Sequence, residues 1–259
     1  MIKRIDFHVK ECEAMKKYPA ELFYKGEPAL LERKKISIVG SRSPNQYARH
    51  KTQELAQKLS NTGICIVSGG AIGVDAISHK AAGAHNTIVV AATGLDKRYP
   101  AINAKLIEEV EQQGLVLSQF AKGSLSTKYN FVLRNELVVA LGDVLVVTYA
   151  DLKSGSMRSV EYALKMGKEI YVLAHRIGES EATNKLLREG KAKGIYDIDD
   201  FVALFGVTPK EEMKKDDFLE FCKTNPTYDE ALAKFPMRLF EAELSGEIEV
   251  KNGLIRLLV

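Results

Sequence analysis

Six short runs of aliphatic and β-branched residues recur at regular spacing from Ile36 onward. They are Ile36–Val39, Ile64–Val67, Thr87–Ala92, Leu115–Ser118, Val144–Ala150 and Glu169–Ala174. Each is nearly continuous in apolar residues instead of alternating with polar ones. A strand reads this way when both of its faces are covered, as in a parallel sheet. The intervening stretches have helical spacing: Tyr47–Leu59 places Leu55 and Leu59 at i, i+4, and Ile102–Gln113 behaves alike. Repeated β-α units of this size need right-handed crossovers. The expected class is therefore α/β, with an open, doubly wound, mostly parallel sheet.

Residues 1–35 precede this pattern and read as a lead of one or two short helices on the sheet edge. The main domain is expected over 36–208. Gly, Pro and a charge run interrupt the pattern in Gly206–Lys215, which sets a linker at 209–215. A small domain over 216–259 reads helix, helix, helix, hairpin. Its helices fall at Phe218–Lys223, at Asp229–Lys234 with Thr227 as cap, and from Pro236 to about Leu244. The hairpin is "EIEVKNGLIRLLV", joined by Asn252-Gly253, a pair suited to a turn needing positive φ at both positions. Three helices and a terminal hairpin make a winged-helix-like layout.

The net charge of +3 conceals a division at this boundary: residues 1–208 carry 29 basic and 23 acidic side chains, residues 209–259 carry 8 and 11. The body can hold a polyanion, whereas the tail as a whole repels one. Cys12, Cys65 and Cys222 are odd in number and widely spaced, which argues against disulfides or a zinc site and fits a reducing cytoplasm. The N-terminal segment has no apolar h-region, and no run approaches a membrane span of about 20 apolar residues.

Ligands of an open parallel sheet sit beyond the carboxyl ends of its strands. Those ends carry Gly40-Ser41-Arg42-Ser43, then Ser68-Gly69-Gly70 followed by Gly73 and Asp75, then Thr93-Gly94-Leu95-Asp96, then Tyr149-Ala150-Asp151 leading to Ser154-Gly155-Ser156. One such loop is as easily a strand terminator; four together favour a phosphate-bearing ligand. Neither G-x-G-x-x-G nor G-x-x-x-x-G-K-[ST] occurs, so no nucleotide cofactor is expected. Lys128, Phe131 and Arg134 are spaced by three, on one helix face. Cations around an aromatic ring suit a single strand, tracking phosphates and stacking a base. A solvated helix face with one buried Phe is the competing reading, and spacing alone favours it slightly. The five histidines form no metal pattern, Ser154 and Ser156 lack a local base, and Asp75 reads as a helix N-terminal carboxylate.

Taken in order, "IVGSR", "IVSGGAIGVDAISHKAA", "GLDKRYPAIN", "FVLRN", "SGSMRSVEYALKMGKEIYV" and "NKLLREGKAKGIYDIDDF" resemble the DNA-processing protein A family, also called Smf. The resemblance implies a Rossmann-like domain that binds single-stranded DNA, a homodimer, and help in loading RecA recombinase during natural transformation. It implies that Arg42, Lys128, Phe131 and Arg134 contact DNA, with Asn135 in support. Ser41, Gly69, Gly70, Ser154, Gly155 and Ser156 then supply the loops of the same site. Arg134 has a structural alternative, pairing with a strand-end carboxylate such as Asp151.

Four departures stand out. Gly70 and Ile72 replace the usual leucine and arginine, and Glu136 replaces a frequent arginine. Arg158-Ser159-Val160 interrupts S-G-S-L-I-T-A, and Ala174-His175 replaces Pro-Gly. Two cations are thus missing, one of which Arg158 can replace. Ile195, Ile198, Phe201, Val202 and Phe205 are the candidate dimer contacts, although core packing explains them equally. The alternative function is a nucleoside monophosphate glycosidase-like enzyme, with "SGSMRSVE" as a distant echo of its motif and Glu161 as the acid.

Overall fold

The computed structural model describes residues 1–205, 217–251 and 253–257. The chain divides into two units, Met1–Val207 and Thr208–Val259. The expected linker at 209–215 and the turn residue Asn252 lie outside the described residues.

The first unit is built on strands β1 (Lys3–Arg4), β2 (Phe23–Gly26), β3 (Lys35–Val39), β4 (Cys65–Ser68), β5 (Thr87–Val90), β6 (Leu115–Ser118), β7 (Val144–Val147), β8 (Ile170–Leu173) and β9 (Lys193–Ile195). They form one sheet in the order β1-β2-β6-β5-β4-β3-β7-β8-β9. Strands β3 to β9 are mutually parallel, and β1 and β2 close one side antiparallel. The order reverses at β3. Strands β4 to β6 lie to one side and β7 to β9 to the other, so the topological switch point opens between β3 and β7. All six apolar runs are strands. Strand β9 was not expected; its three residues lack the apolar density of the others.

Helices α1 (Gln46–Asn61), α2 (Val74–Ala82), α3 (Ala104–Gln113), α4 (Lys128–Leu141), α5 (Ser156–Lys165), α6 (Glu181–Arg188) and α7 (Ile198–Ala203) cover both faces. Side-chain caps fix where three of them start, with Asp197 Oδ1 accepting from Asp199 N at 2.8 Å at α7. Asn45 Oδ1 accepts from Ala48 N at 2.8 Å, and Thr127 Oγ1 accepts from Asn130 N at 3.1 Å. Caps of this kind are worth about 1 kcal/mol. Alternate residues of β3 face opposite layers. Ile36 and Ile38 pack with Leu55 and Leu59 of α1, while Ser37 donates to Val138 O of α4 at 2.6 Å. Residues Leu137–Leu141 of α4 are all buried, so this helix is covered on its outer side as well.

The cover comes from residues 1–35, and here the structure departs from the expected helical lead. That segment holds two strands and two 3-10 turns, and Val9, Cys12 and Met15 join the core around α4. Lys35, 2% exposed, donates to Leu31 O and Arg33 O and pairs with Glu11 at 2.5 Å. Glu136 Oε1 accepts from Lys16 N at 2.8 Å.

The second unit holds α8 (Asp217–Cys222), α9 (Tyr228–Lys234), α10 (Pro236–Ser245) and an antiparallel pair, β10 (Ile248–Lys251) with β11 (Leu254–Leu257). Thr227 and Glu230 form a reciprocal capping box at the start of α9. Phe218, Leu239 and Ile255 are buried in this unit's own core.

Ile198, Phe201 and Val202 do not form a surface. They are 8%, 4% and 2% exposed, packed with Ile195 and Tyr171 within the first unit. The Tyr171 and Phe201 rings meet at 4.9 Å, and Phe205 joins them at 6.0 and 5.0 Å. Residues spent on their own core are not available to a second copy. The exposed large hydrophobic side chains of that segment are Tyr196 and Leu204. All three cysteines are buried. Among the described residues, no helix is long and apolar enough to cross a membrane.

Candidate nucleic-acid interface

A cleft of about 460 Å³ opens at the switch point. Strand ends β3 and β4, the first turns of α4 and the N-terminus of α5 surround it. Arg42, Gly69, Lys128, Phe131, Arg134, Asn135, Ser154, Gly155 and Ser156 all line it. Nine expected site residues, drawn from four separate stretches of chain, thus meet in one place. Ser41 and Gly70 do not line it. Ser41 organises the loop instead: its N–H donates to Tyr149 O at 2.8 Å, its carbonyl accepts from Val74 N at 3.1 Å, and its Oγ accepts from Ser43 N at 3.1 Å. Gly70 adopts φ +69° and lends its carbonyl to Asn103 Nδ2 at 3.0 Å.

Two glycines are required by close approaches. A Cβ on Gly73 would sit 2.4 Å from Ser41 O, so this residue lets α2 start directly beneath the Arg42 loop. A Cβ on Gly69 would sit 2.4 Å from the Arg134 guanidinium.

The i, i+3 face of α4 runs from solvent into the interior. Lys128 is exposed, Phe131 is half-buried, and Arg134 is 6% exposed. Their roles divide accordingly. Arg134 Nη1 donates to Val90 O at 3.0 Å and to Gly69 O, and Nε donates to Asn135 Oδ1 at 3.0 Å. These bonds tie the ends of β4 and β5 to α4, so Arg134 is a strut under the cleft. Its opposite charge is Asp75, not Asp151. Burial pulls the Arg134 guanidinium below its ordinary value, Asp75 pulls it back, and Arg42 adds like-charge repulsion. Burial pushes the Asp75 carboxyl up, opposed by Arg134 and by N–H donors from Ala71 and Gly69, each at 3.2 Å. Asp75 thus holds the β4 loop from the start of α2.

Arg42 and Lys128 remain exposed at the cleft mouth. Among the described residues, neither has a carboxylate within ion-pair distance. The Arg42 guanidinium lies 5.8 Å from the Phe131 ring centre, and that of Arg134 lies 5.7 Å from it. Two guanidinium groups within 6 Å of one ring centre attract it. Opposite them, Ser154 Oγ donates to Ser156 Oγ at 3.1 Å and accepts from Ser156 N at 3.3 Å where α5 begins.

Two departures from the family pattern change meaning here. Glu136 is buried against the N-terminal segment and does not line the cleft, so position 136 removes no cation from it. Arg158 and Glu161, the candidate residue of the glycosidase-like alternative, both lie outside the cleft lining and pair with each other at 2.8 Å on the exposed face of α5. His175, at the position of the usual Pro-Gly, sits between the Tyr47 and Tyr149 rings with Nε2 2.8 Å from Thr148 O.

Sequence reasoning assigned no role to Asn103. It is buried, and its Nδ2 donates to Gly70 O and Ala71 O at 3.0 and 3.1 Å. That fastens the "GLDKRYPAIN" segment to the cleft wall. The quoted motif contained it, but a lone Asn before a helix reads as a cap.

A family model for DNA recombination-mediator protein A matches residues 5–206. The DNA processing protein DprA of Streptococcus pneumoniae is 35% identical over 191 residues, spanning 72% of this chain and 67% of that protein. The Bacillus subtilis protein of the same name is 33% identical, over 70% of this chain and 63% of its own length. DNA processing protein A from Helicobacter pylori has been solved in a study of its single-stranded DNA binding mode. It superposes with a TM-score of 0.77 at 40% identity, covering 79% of this chain and 95% of that one. The chain belongs to the DNA recombination-mediator protein A family.

Proposed function

We propose that this protein holds single-stranded DNA in the strand-end cleft, without chemistry on it, and protects incoming DNA while helping to load RecA recombinase in transformation and recombination. The observation that carries this reading is the pair of exposed, carboxylate-free cations Arg42 and Lys128 flanking Phe131. Cations at that spacing track phosphates, and the ring offers a π face to a base. The single-stranded DNA binding mode described for the Helicobacter pylori relative supports the same ligand. The Ser154–Ser156 turn adds backbone N–H groups at the start of a ten-residue helix, where anions are favoured. The protein is expected to act in the cytoplasm as a homodimer, which raises avidity on one strand.

We further propose that the second unit, with its three helices and hairpin, is winged-helix-like and meets a protein instead of duplex DNA. Its α10 exposes Met237 and Phe240, and residues 209–259 hold 8 basic against 11 acidic side chains.

The test is a salt titration of binding to single- and double-stranded DNA. Each phosphate contact on a single strand contributes a slope of about −0.7 in log K against log salt. Arg42→Ala and Lys128→Ala are each expected to flatten the slope by about that amount. Unchanged slopes in both variants refute the assignment.

A further inference from the structure

Beside the main cleft lies a smaller one of about 40 Å³, lined by Arg42, Ile72, Tyr99, Pro100 and Phe131. We propose that Tyr99 is a second base-stacking platform, and that Tyr99 and Ile72 form a shelf receiving the nucleobase next to the one on Phe131. The proposal rests on the single-strand reading of the main cleft and adds where the strand goes next.

The chemistry of the shelf differs from that of the cleft. The Tyr99 ring is 47% exposed and the Ile72 side chain 45% exposed. The Tyr99 and Phe131 ring centres lie 5.9 Å apart, tilted by 48°. An exposed aromatic and an exposed aliphatic thus adjoin a ring that has two guanidinium groups within 6 Å of its centre. A ligand matching this sequence of surfaces carries its charge toward Arg42 and a flat apolar face toward Tyr99. Successive nucleotides of a single strand have that form; a duplex hides its base faces in the stack. The recess is too small to enclose a base, so a base stacks on the exposed Tyr99 and Ile72 at its rim, a contact that discriminates little among bases.

The shelf is also held still. Asn103 ties its far end to Gly70 O and Ala71 O. Gly94 N donates to Ser124 O at 3.0 Å, and Gly123 N donates to Asp96 Oδ1 at 2.8 Å. Arg98, next to Tyr99, is paired with Glu108 at 3.2 Å and Glu111 at 2.8 Å. A ring carried on so many fixed points loses little freedom when a base stacks on it.

The chain has no Trp, so Tyr99→Trp creates a sole indole reporter on the shelf. The full-length protein is titrated with oligothymidine and with an abasic strand of equal phosphate number. Oligothymidine is expected to quench the Trp emission; the abasic strand binds without quenching. Tyr99→Ala is expected to weaken oligothymidine binding by about five- to a hundredfold, the range for a stacked base, with the salt slope unchanged. Its affinity for the abasic strand stays at the wild-type value, and Tyr99→Phe keeps wild-type affinity for both. An equal loss on both strands, no loss on either, or no quenching with oligothymidine overturns the proposal. If Tyr99→Ala does not fold, the Tyr99→Trp quenching comparison decides alone. Failure of the wild-type protein to bind either strand overturns the single-strand reading itself.

Discussion

Replacing Arg134 by Met separates a strut from a DNA ligand. The substitution keeps the length of the stem and removes the guanidinium. Two buried carbonyl oxygens, Gly69 O and Val90 O, lose their donor, and Asp75 loses the positive charge beside it. An unsatisfied buried acceptor costs about 1–3 kcal/mol. With two acceptors left without this donor, the expected loss is about 2–6 kcal/mol for the first unit. Urea unfolding followed by far-ultraviolet circular dichroism measures it. Adding Asp75→Asn removes the stranded carboxylate and is expected to restore part of the loss. Arg42→Ala, on an exposed side chain, is expected to stay within about 0.5 kcal/mol of wild type. A loss below about 1 kcal/mol in Arg134→Met, joined to weakened DNA binding, refutes the strut assignment and returns Arg134 to the phosphate contacts.

Other consequences follow from the same contacts. Raising salt fourfold is expected to cost Arg42→Ala about 2.6-fold less affinity than wild type, the effect of losing one phosphate contact, measured by anisotropy. Buried His79 is depressed from 6.5 to about 3 by desolvation and by Arg134. Its folded pKa is below the unfolded one, so its stabilisation is complete above pH 6.5 and is lost as pH falls toward 3. The loss runs at about 1.4 kcal/mol per pH unit, and unfolding free energies of His79→Asn across that window are expected to lack this component. Burial pushes the Cys12 and Cys65 thiols up to about 12. With Cys222 also buried, no thiol should react with an aromatic disulfide reagent at pH 8 until the protein unfolds.

The six central strands were legible because a strand covered on both faces must be apolar throughout. Strand β9 and the strands of the first 35 residues were not. β1 is Lys3-Arg4, with both side chains exposed, and exists because Lys3 and Arg4 pair with Tyr24 and Phe23. Strand β2 in turn depends on β6, about ninety residues later in the chain. Such pairing leaves no local periodicity. The site divides in the same way. Arg42, Lys128 and Phe131 stood out because strand ends and helix spacing are local. Arg134 lines the cleft, but its donors are taken by carbonyls 65 and 44 residues away, which residue type does not reveal. Glu136 read as a missing cation because sequence position alone does not say which way a helix residue points.

The edges of the nine-stranded sheet bear on how copies of this unit meet one another. One edge is the two-residue β1, both of whose residues are basic, and the other is the three-residue β9, opened by exposed Lys193. Short, lysine-bearing edges are poor templates for further strand pairing. A long bare edge would let crowded copies join strand to strand and aggregate. The blunted edges disfavour that route, so crowding need not become irreversible association.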